Sequence, residues 1–175
     1  PHFVTVTWPD GDNEVFNLTP AQGSTFMPGV TSAQFTGRSG TSSTLTAVDD
    51  SLFFVNGNLN GGAFGGDGVY NPTRFVLTDK VGTKYDLTVG VGLTKITART
   101  GETITITPKA ITSSAGPALT INRDAKDRIT KLTDPDGHTV SYTYSSDGNL
   151  ATVTNQLGDT TSYHYTGHYL DKVTG

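Results

Sequence analysis

The stretch "DPDGHTVSYTYSSDGNLATVTNQLGDTTSYHYTGHYL", Asp134 to Leu170, states one pattern twice. Gly137 is answered 21 residues later by Gly158, Tyr142 by Tyr163 and Tyr144 by Tyr165. One interval earlier, Gly116, Ile121 and Ile129 hold the places later taken by Gly137, Tyr142 and Leu150. Each unit reads as a turn glycine, apolar residues at alternating positions, a polar turn, and a second short alternating strand such as "NLATVTN". One unit is therefore one β-hairpin. A fixed interval of this kind marks stacked units that cannot bury an apolar face alone, so neighbours supply the rest. On a strand, "YTY" puts Tyr142 and Tyr144 on one face, where cross-strand packing or stacking between units is expected.

Outward from this stretch the pattern loosens. Gly82 opens "GTKYDL" and Gly101 opens "GETITI", so the glycine spacings run 19, 15, 21 and 21, and the array is read as residues 75–175. Residues 1–74 form an N-terminal β-rich domain with long Gly-rich loops. It opens with a hairpin, "HFVTVTW" and "EVFNL", joined by "PDGDN", whose Asp-Gly permits the positive φ of a tight turn. Between the two parts, "QGSTFMPGVTSAQFTGRSGTSS" and "NGNLNGGAFGGDGVYNP" keep no period, and Leu52 to Val55 ("LFFV") reads as a buried strand.

Composition agrees with an all-β chain of successive antiparallel hairpins. Among 175 residues there are 31 Thr, 21 Gly and 8 Pro. β-Branched residues suit pleated surfaces, and Gly and Pro supply turns. With 12 basic and 16 acidic residues and no Lys/Arg cluster, nucleic acid is not a partner. No apolar run reaches the ~20 residues of a membrane span, and no leader pattern follows Pro1, which reads as an internal boundary of a longer polypeptide. The absence of Cys removes disulfide, thiolate-metal and thiol-nucleophile chemistry.

These residues resemble the RHS or YD-repeat family, whose units run as Gly, several residues, Tyr-x-Tyr-Asp, two residues, Gly-Arg-Leu. "GHTVSYTYSSDGNL" matches at Gly137, Tyr142, Tyr144, Gly148 and Leu150. "GPALTINRDAKDRITKL" matches at Gly116, Asp124, Arg128 and Ile129, with Arg123 in place of the second Tyr. "GDTTSYHYTGHYLDKV" keeps Gly158, Tyr163, Tyr165 and Leu170. The Tyr-Asp dipeptide itself is intact nowhere: Ser145 follows Tyr144, Thr166 follows Tyr165, and Asp124 follows an Arg. The resemblance implies a secreted or cell-surface protein, often a toxin or toxin-complex component. In that family the hairpins form a β-sheet shell or stalk that encloses or presents a toxin or effector region.

No constellation of catalytic residues stands out, and the chain is read as non-catalytic. His138, His164 and His168 lack an acidic third ligand at zinc spacing. The acidic turns Asp10, Asp12, Glu14 and Asp134, Asp136 lack the full calcium-loop pattern, so hairpin turn chemistry is the better reading and calcium the lesser one. The only glutamates are Glu14 and Glu102, and "GRSGTSS" is a loop without a nucleophile elbow. The "DPDG" at Asp134 superficially resembles the aspartyl self-cleavage segment of some relatives, but it occupies an ordinary turn between units. The alternative function is a carbohydrate-binding or adhesin module, in which Trp8, Phe64 and Tyr70 would stack on a surface glycan.

Overall fold

The computed structural model describes residues 3–21, 30–48, 52–55, 59–61 and 68–175. Every regular element among them is a β-strand, and every pairing between strands is antiparallel. The chain separates into two compact units, Pro1–Thr103 and Ile104–Gly175.

The first unit owns the fully buried residues. Its main sheet joins β1 (Phe3–Thr7), β2 (Asn13–Leu18), β4 (Phe35–Gly37), β5 (Thr44–Ala47), β8 (Arg74–Thr78), β9 (Lys84–Thr88) and β10 (Gly92–Thr97) in that order. A small second sheet orders β3 (Val30–Ser32), β6 (Leu52–Val55) and β7 (Leu59–Gly61). "LFFV" is thus a strand, while its side chains lie outside the described set. Alternation along β5 and β8 sends Leu45, Ala47, Phe75 and Leu77 to one face, where they meet Phe16, Phe35 and Tyr70. Phe35 and Phe75 pack edge to face at 5.5 Å. Trp8 meets Tyr85 the same way at 5.4 Å, a geometry the ring quadrupoles favour.

The second unit is built from β11 (Thr103–Ile106, whose first residue belongs to the first unit), β12 (Ala110–Ser113), β13 (Gly116–Arg123), β14 (Ile129–Thr133), β15 (Thr139–Tyr144), β16 (Leu150–Thr154), β17 (Thr160–Thr166) and β18 (Tyr169–Thr174), paired in chain order. Directly opposite residues share a face, so the registers sort the side chains. Ile121 faces Leu132, Leu132 faces Val140, Tyr142 faces Val153, and Tyr163 faces Val173. The other face carries Thr120, Thr133 and Thr139, then Ser141, Thr154 and Thr160. Thr143 and Thr152 bond across the strands at 2.7 Å, as do Thr154 and Thr160 at 2.9 Å. Part of the threonine surplus lies on this polar face.

The 21-residue interval has a local cause. From β13 to β17 the strands are joined by one five-residue turn, closed by the N–H of its first residue to the C=O of its fifth and by the N–H of its fourth to the C=O of its first. It appears at Asp124–Arg128, Asp134–His138, Ser145–Asn149 and Asn155–Asp159, and in the first unit at Trp8–Asp12, Asp79–Thr83 and Ala98–Glu102. Turn starts at 124, 134, 145 and 155 alternate steps of 10 and 11, so two strands and two turns make 21 residues. The fourth residue needs positive φ: it is Gly at 137, 148 and 158, and Asp127 at φ 62°. The first residue is a side-chain acceptor. Asp124, Asp134 and Asn155 each take the N–H groups two and four residues on, which fixes the loop from within.

Replacing Gly158 by Ala meets no atom within 4 Å, so its cost is backbone strain alone, about 1–2 kcal/mol. Asp127→Gly removes a side chain from the same backbone region and is expected to leave stability unchanged or raise it. Urea midpoints of the two variants check the opposite signs.

Candidate functional site

The repeat-motif residues converge on one contact between successive units. Asp124 opens its turn, and its Oδ2 accepts from Arg128 Nε at 2.8 Å and Nη2 at 2.7 Å. This bond and the Arg128 backbone N–H hold the Asp124 carboxyl below its ordinary pKa. Held from one side, the guanidinium lies 4.2 Å from the centre of the Tyr144 ring in the following unit. Gly148 flanks it, since a Cβ there would sit 3.8 Å from Arg128 Nη1. That Nη1 is buried and finds no acceptor among the described residues, as expected of an N–H pressed against a ring face. Tyr144 completes the clasp by donating its hydroxyl to the Ile129 carbonyl at 2.7 Å.

The sequence departure at Arg123 turns out to preserve this last bond. Arg123 stands 21 residues before Tyr144, and its Nε donates to the Pro108 carbonyl at 2.9 Å, as Tyr144 donates to Ile129. Both bonds span 15 residues. Either side chain is long, carries a terminal donor, and reaches across a neighbouring strand to a backbone C=O. The position following Arg128 by 21 is Asn149, which donates Nδ2 to the Gly167 carbonyl at 2.8 Å and sets Oδ1 2.7 Å from His168 Nδ1. Each unit thus fastens to the next, with different side chains.

A β-bulge sits at the same place in every unit. The register shifts between Asn122 and Arg123, between Thr143 and Tyr144, and between His164 and Tyr165. Two residues then oppose one, and the extra residue is Thr130 on β14, Ala151 on β16 and Asp171 on β18. Arg123 faces Ile129, Tyr144 faces Leu150 and Tyr165 faces Leu170 across it.

Stacking of tyrosine on tyrosine between units does not occur among the described residues, where the ring pairs are Trp8–Tyr85 and Phe35–Phe75. The reason is spacing. β15 and β17 have β16 between them, so Tyr142 and Tyr163 are roughly 10 Å apart across the sheet. Each is half-buried against a valine instead.

The remaining candidates fall as follows. Tyr70 is 1% exposed in the core, Trp8 is half-buried against Tyr85, and Phe64 lies outside the described residues. Trp8 borders a polar groove of about 340 Å³ with Asp10, Asn13, Glu14 and Ser42. Burial pushes the Glu14 carboxyl up, but donations from Ser42 and Ser43 outweigh it and leave its pKa lowered. Asp134, Asp136 and His138 place one potential ligand atom each within 4.8 Å of one another. Asp134 already serves the turn, with Oδ1 on two N–H groups and Oδ2 at 2.9 Å from His138 Nδ1. His164 pairs weakly with Thr174 and His168 with Asn149. Glu102 accepts from Thr100. Among the described residues no helix is long and apolar enough to cross a membrane.

Residues 123–155 match the family model described as RHS repeat, a stretch that holds both Asp124–Arg128 and Tyr144. No curated protein matches the chain.

Two outcomes check the clasp. Tyr144→Phe keeps the ring and loses the hydroxyl bond, and is expected to cost ~0.5–1.5 kcal/mol by urea unfolding. Because the folded pKa of Asp124 is lowered, its contribution is present above the ordinary carboxylate value of about 3.9 and fades as pH falls through the folded value. Asp124→Asn is therefore expected to flatten the acid side of the stability profile, with wild type and variant converging at the lowest pH.

Proposed function

We propose, from the RHS repeat carried at residues 123–155, that this chain is a non-catalytic structural segment of a larger secreted or cell-surface polypeptide. Its hairpins form part of a β-sheet shell or stalk that encloses or presents a toxin or effector region. One observation carries the reading: the side chains of the repeat motif are spent on one another and on backbone carbonyls, Asp124 on Arg128, Arg128 on Tyr144, Tyr144 on Ile129. Residues so engaged tie a wall together and are not presented to a substrate. We assign the array to residues 75–175, where the turn recurs from Asp79–Thr83 onward, and residues 1–74, which hold one such turn at Trp8–Asp12, to a preceding β-rich domain.

Electron microscopy of the parent polypeptide tests this. A hollow or elongated β-walled particle with an enclosed or appended region is the expected result. A compact particle without such a wall contradicts it. Antibody against residues 139–154 is expected to label the medium or intact cells, and labelling only after lysis contradicts the location.

A second reading, a glycan-binding module, is favoured by the groove beside Trp8. It predicts glycan-array binding that Trp8→Ala abolishes while the array's hairpins stay folded. Silence on the array, with no thermal shift from sugars or calcium, removes it.

A further inference from the structure

We infer that the first unit binds an aliphatic chain ending in an ammonium group, the chain in an apolar cavity and the ammonium in an acidic groove, with Trp8 bordering both. The inference is independent of the wall role, and it gives the groove beside Trp8 a cation in place of a glycan.

The cavity measures about 610 Å³, within the range of ligand pockets at roughly 300–1,000 Å³. It lies inside a bend of the main sheet, since β1 at one end of the first unit's strand order and β10 at the other both line it. The registers set Leu77, Tyr85 and Ile96 in one row across the sheet and Phe75, Leu87 and Leu93 in the next. Trp8 meets Tyr85 in the first row, and the lining continues along β9 to Val89, about 13 Å of extended strand further on. No lining residue carries a charge. A charged group placed there would lose its water and gain no partner, so this part of the occupant is hydrocarbon.

The groove of about 340 Å³ shares Trp8 with the cavity and has the opposite character. Asp10, Asp12, Glu14 and Asp79 line it against one cation, Lys80. Burial raises the carboxyls of Asp79 and Glu14, but the N–H groups of Thr83 and Ser42 outweigh it, so both stay below the ordinary value and anionic. Neutral groups meet them: Val81, Thr83 and Tyr85 donate to Asp79, and Ser42 donates to Glu14. Glu14 Oε2 is buried and has no donor among the described residues. Carboxylates held this way beside an aromatic ring are a setting that favours an alkylammonium group. Tyr85, in the cavity, donates to Asp79, in the groove, at 3.2 Å, so the two spaces adjoin. The cavity alone would accept any apolar molecule and the groove any cation. Their junction at Trp8 selects a molecule that is both.

Trp8 is the single tryptophan of the chain, so its fluorescence reports occupancy. The probes are butylammonium, hexylammonium and octylammonium, with octanoate, octanol and the octane diammonium, each below its micelle concentration or solubility limit. Saturable one-to-one binding of octylammonium is expected, tightening about fourfold for each methylene added from butyl to octyl. Octanoate is expected to bind about tenfold more weakly or worse, and so is the diammonium, whose second charge enters an uncharged space. Glu14→Gln keeps an acceptor for Ser42 and removes the charge. It is expected to weaken octylammonium about tenfold and leave octanol unchanged. Asp12→Asn, at an exposed side chain, is expected to act in the same direction and decides if Glu14→Gln fails to fold.

Equal binding of octylammonium and octanoate reduces the site to a general apolar pocket and overturns the inference. Affinity independent of chain length, or a diammonium as tight as octylammonium, takes the chain out of the cavity and does the same. No change in the Trp8 signal up to about 1 mM octylammonium ends it.

Discussion

A sheet whose side chains are at best half-buried lacks the usual means of holding its strands in place. In the second unit no described residue is fully buried, and Leu170 and Val173 are more than half exposed. The stabilising work falls to contacts made along and between units. Chief among them is the Arg128 guanidinium, gripped by Asp124 and laid on Tyr144. Both partners of the ion pair are about a quarter exposed, so salt and water weaken it, and its value lies mainly in aiming Arg128 at the ring.

From that constraint the spacing of the motif follows. A turn whose first residue brackets its own amides can be short and stiff, which keeps the turn starts 10 or 11 residues apart and the interval constant. A constant interval brings Tyr144 back over the preceding turn, and a bulge on the partner strand lies opposite each second-Tyr position. Arg123 shows what is essential: a long side chain with a donor at its tip reaching a carbonyl 15 residues back. The tyrosine ring adds the cation contact that Arg123 cannot receive. The polar face, with its cross-strand threonine bonds, closes the other side of the same layer.

Much of this was legible in the residues. The glycines at 137, 148 and 158 announced positive φ, alternation announced strands, and the interval announced hairpins in series. What stayed hidden was of two kinds. Short strands such as β3 and β4, three residues each, carry too few positions for a period to register. The clasp joins residues 15 and more apart, and only the folded register sets Arg128 on Tyr144. Of the two arrangements expected of the tyrosines, cross-strand packing is seen at Tyr142 on Val153 and Tyr163 on Val173, while stacking between units is not seen among the described residues because the interval counts two strands and sets β16 between the rings. A usable signal did exist in two aligned pairs of turn-start residues 21 apart, Asp124 with Ser145 and Asp134 with Asn155, each able to accept from the backbone.

The central claim is that Arg128 and Tyr144 act as one contact, and a double-mutant cycle measures that directly. Arg128→Met and Tyr144→Leu, singly and together, would be compared by urea unfolding of the whole chain. A coupling of roughly 0.5–2 kcal/mol is expected for a cation held against a partly buried ring. Additive single effects, with coupling indistinguishable from zero, would show that the two residues merely lie near each other and that the units are held by something else.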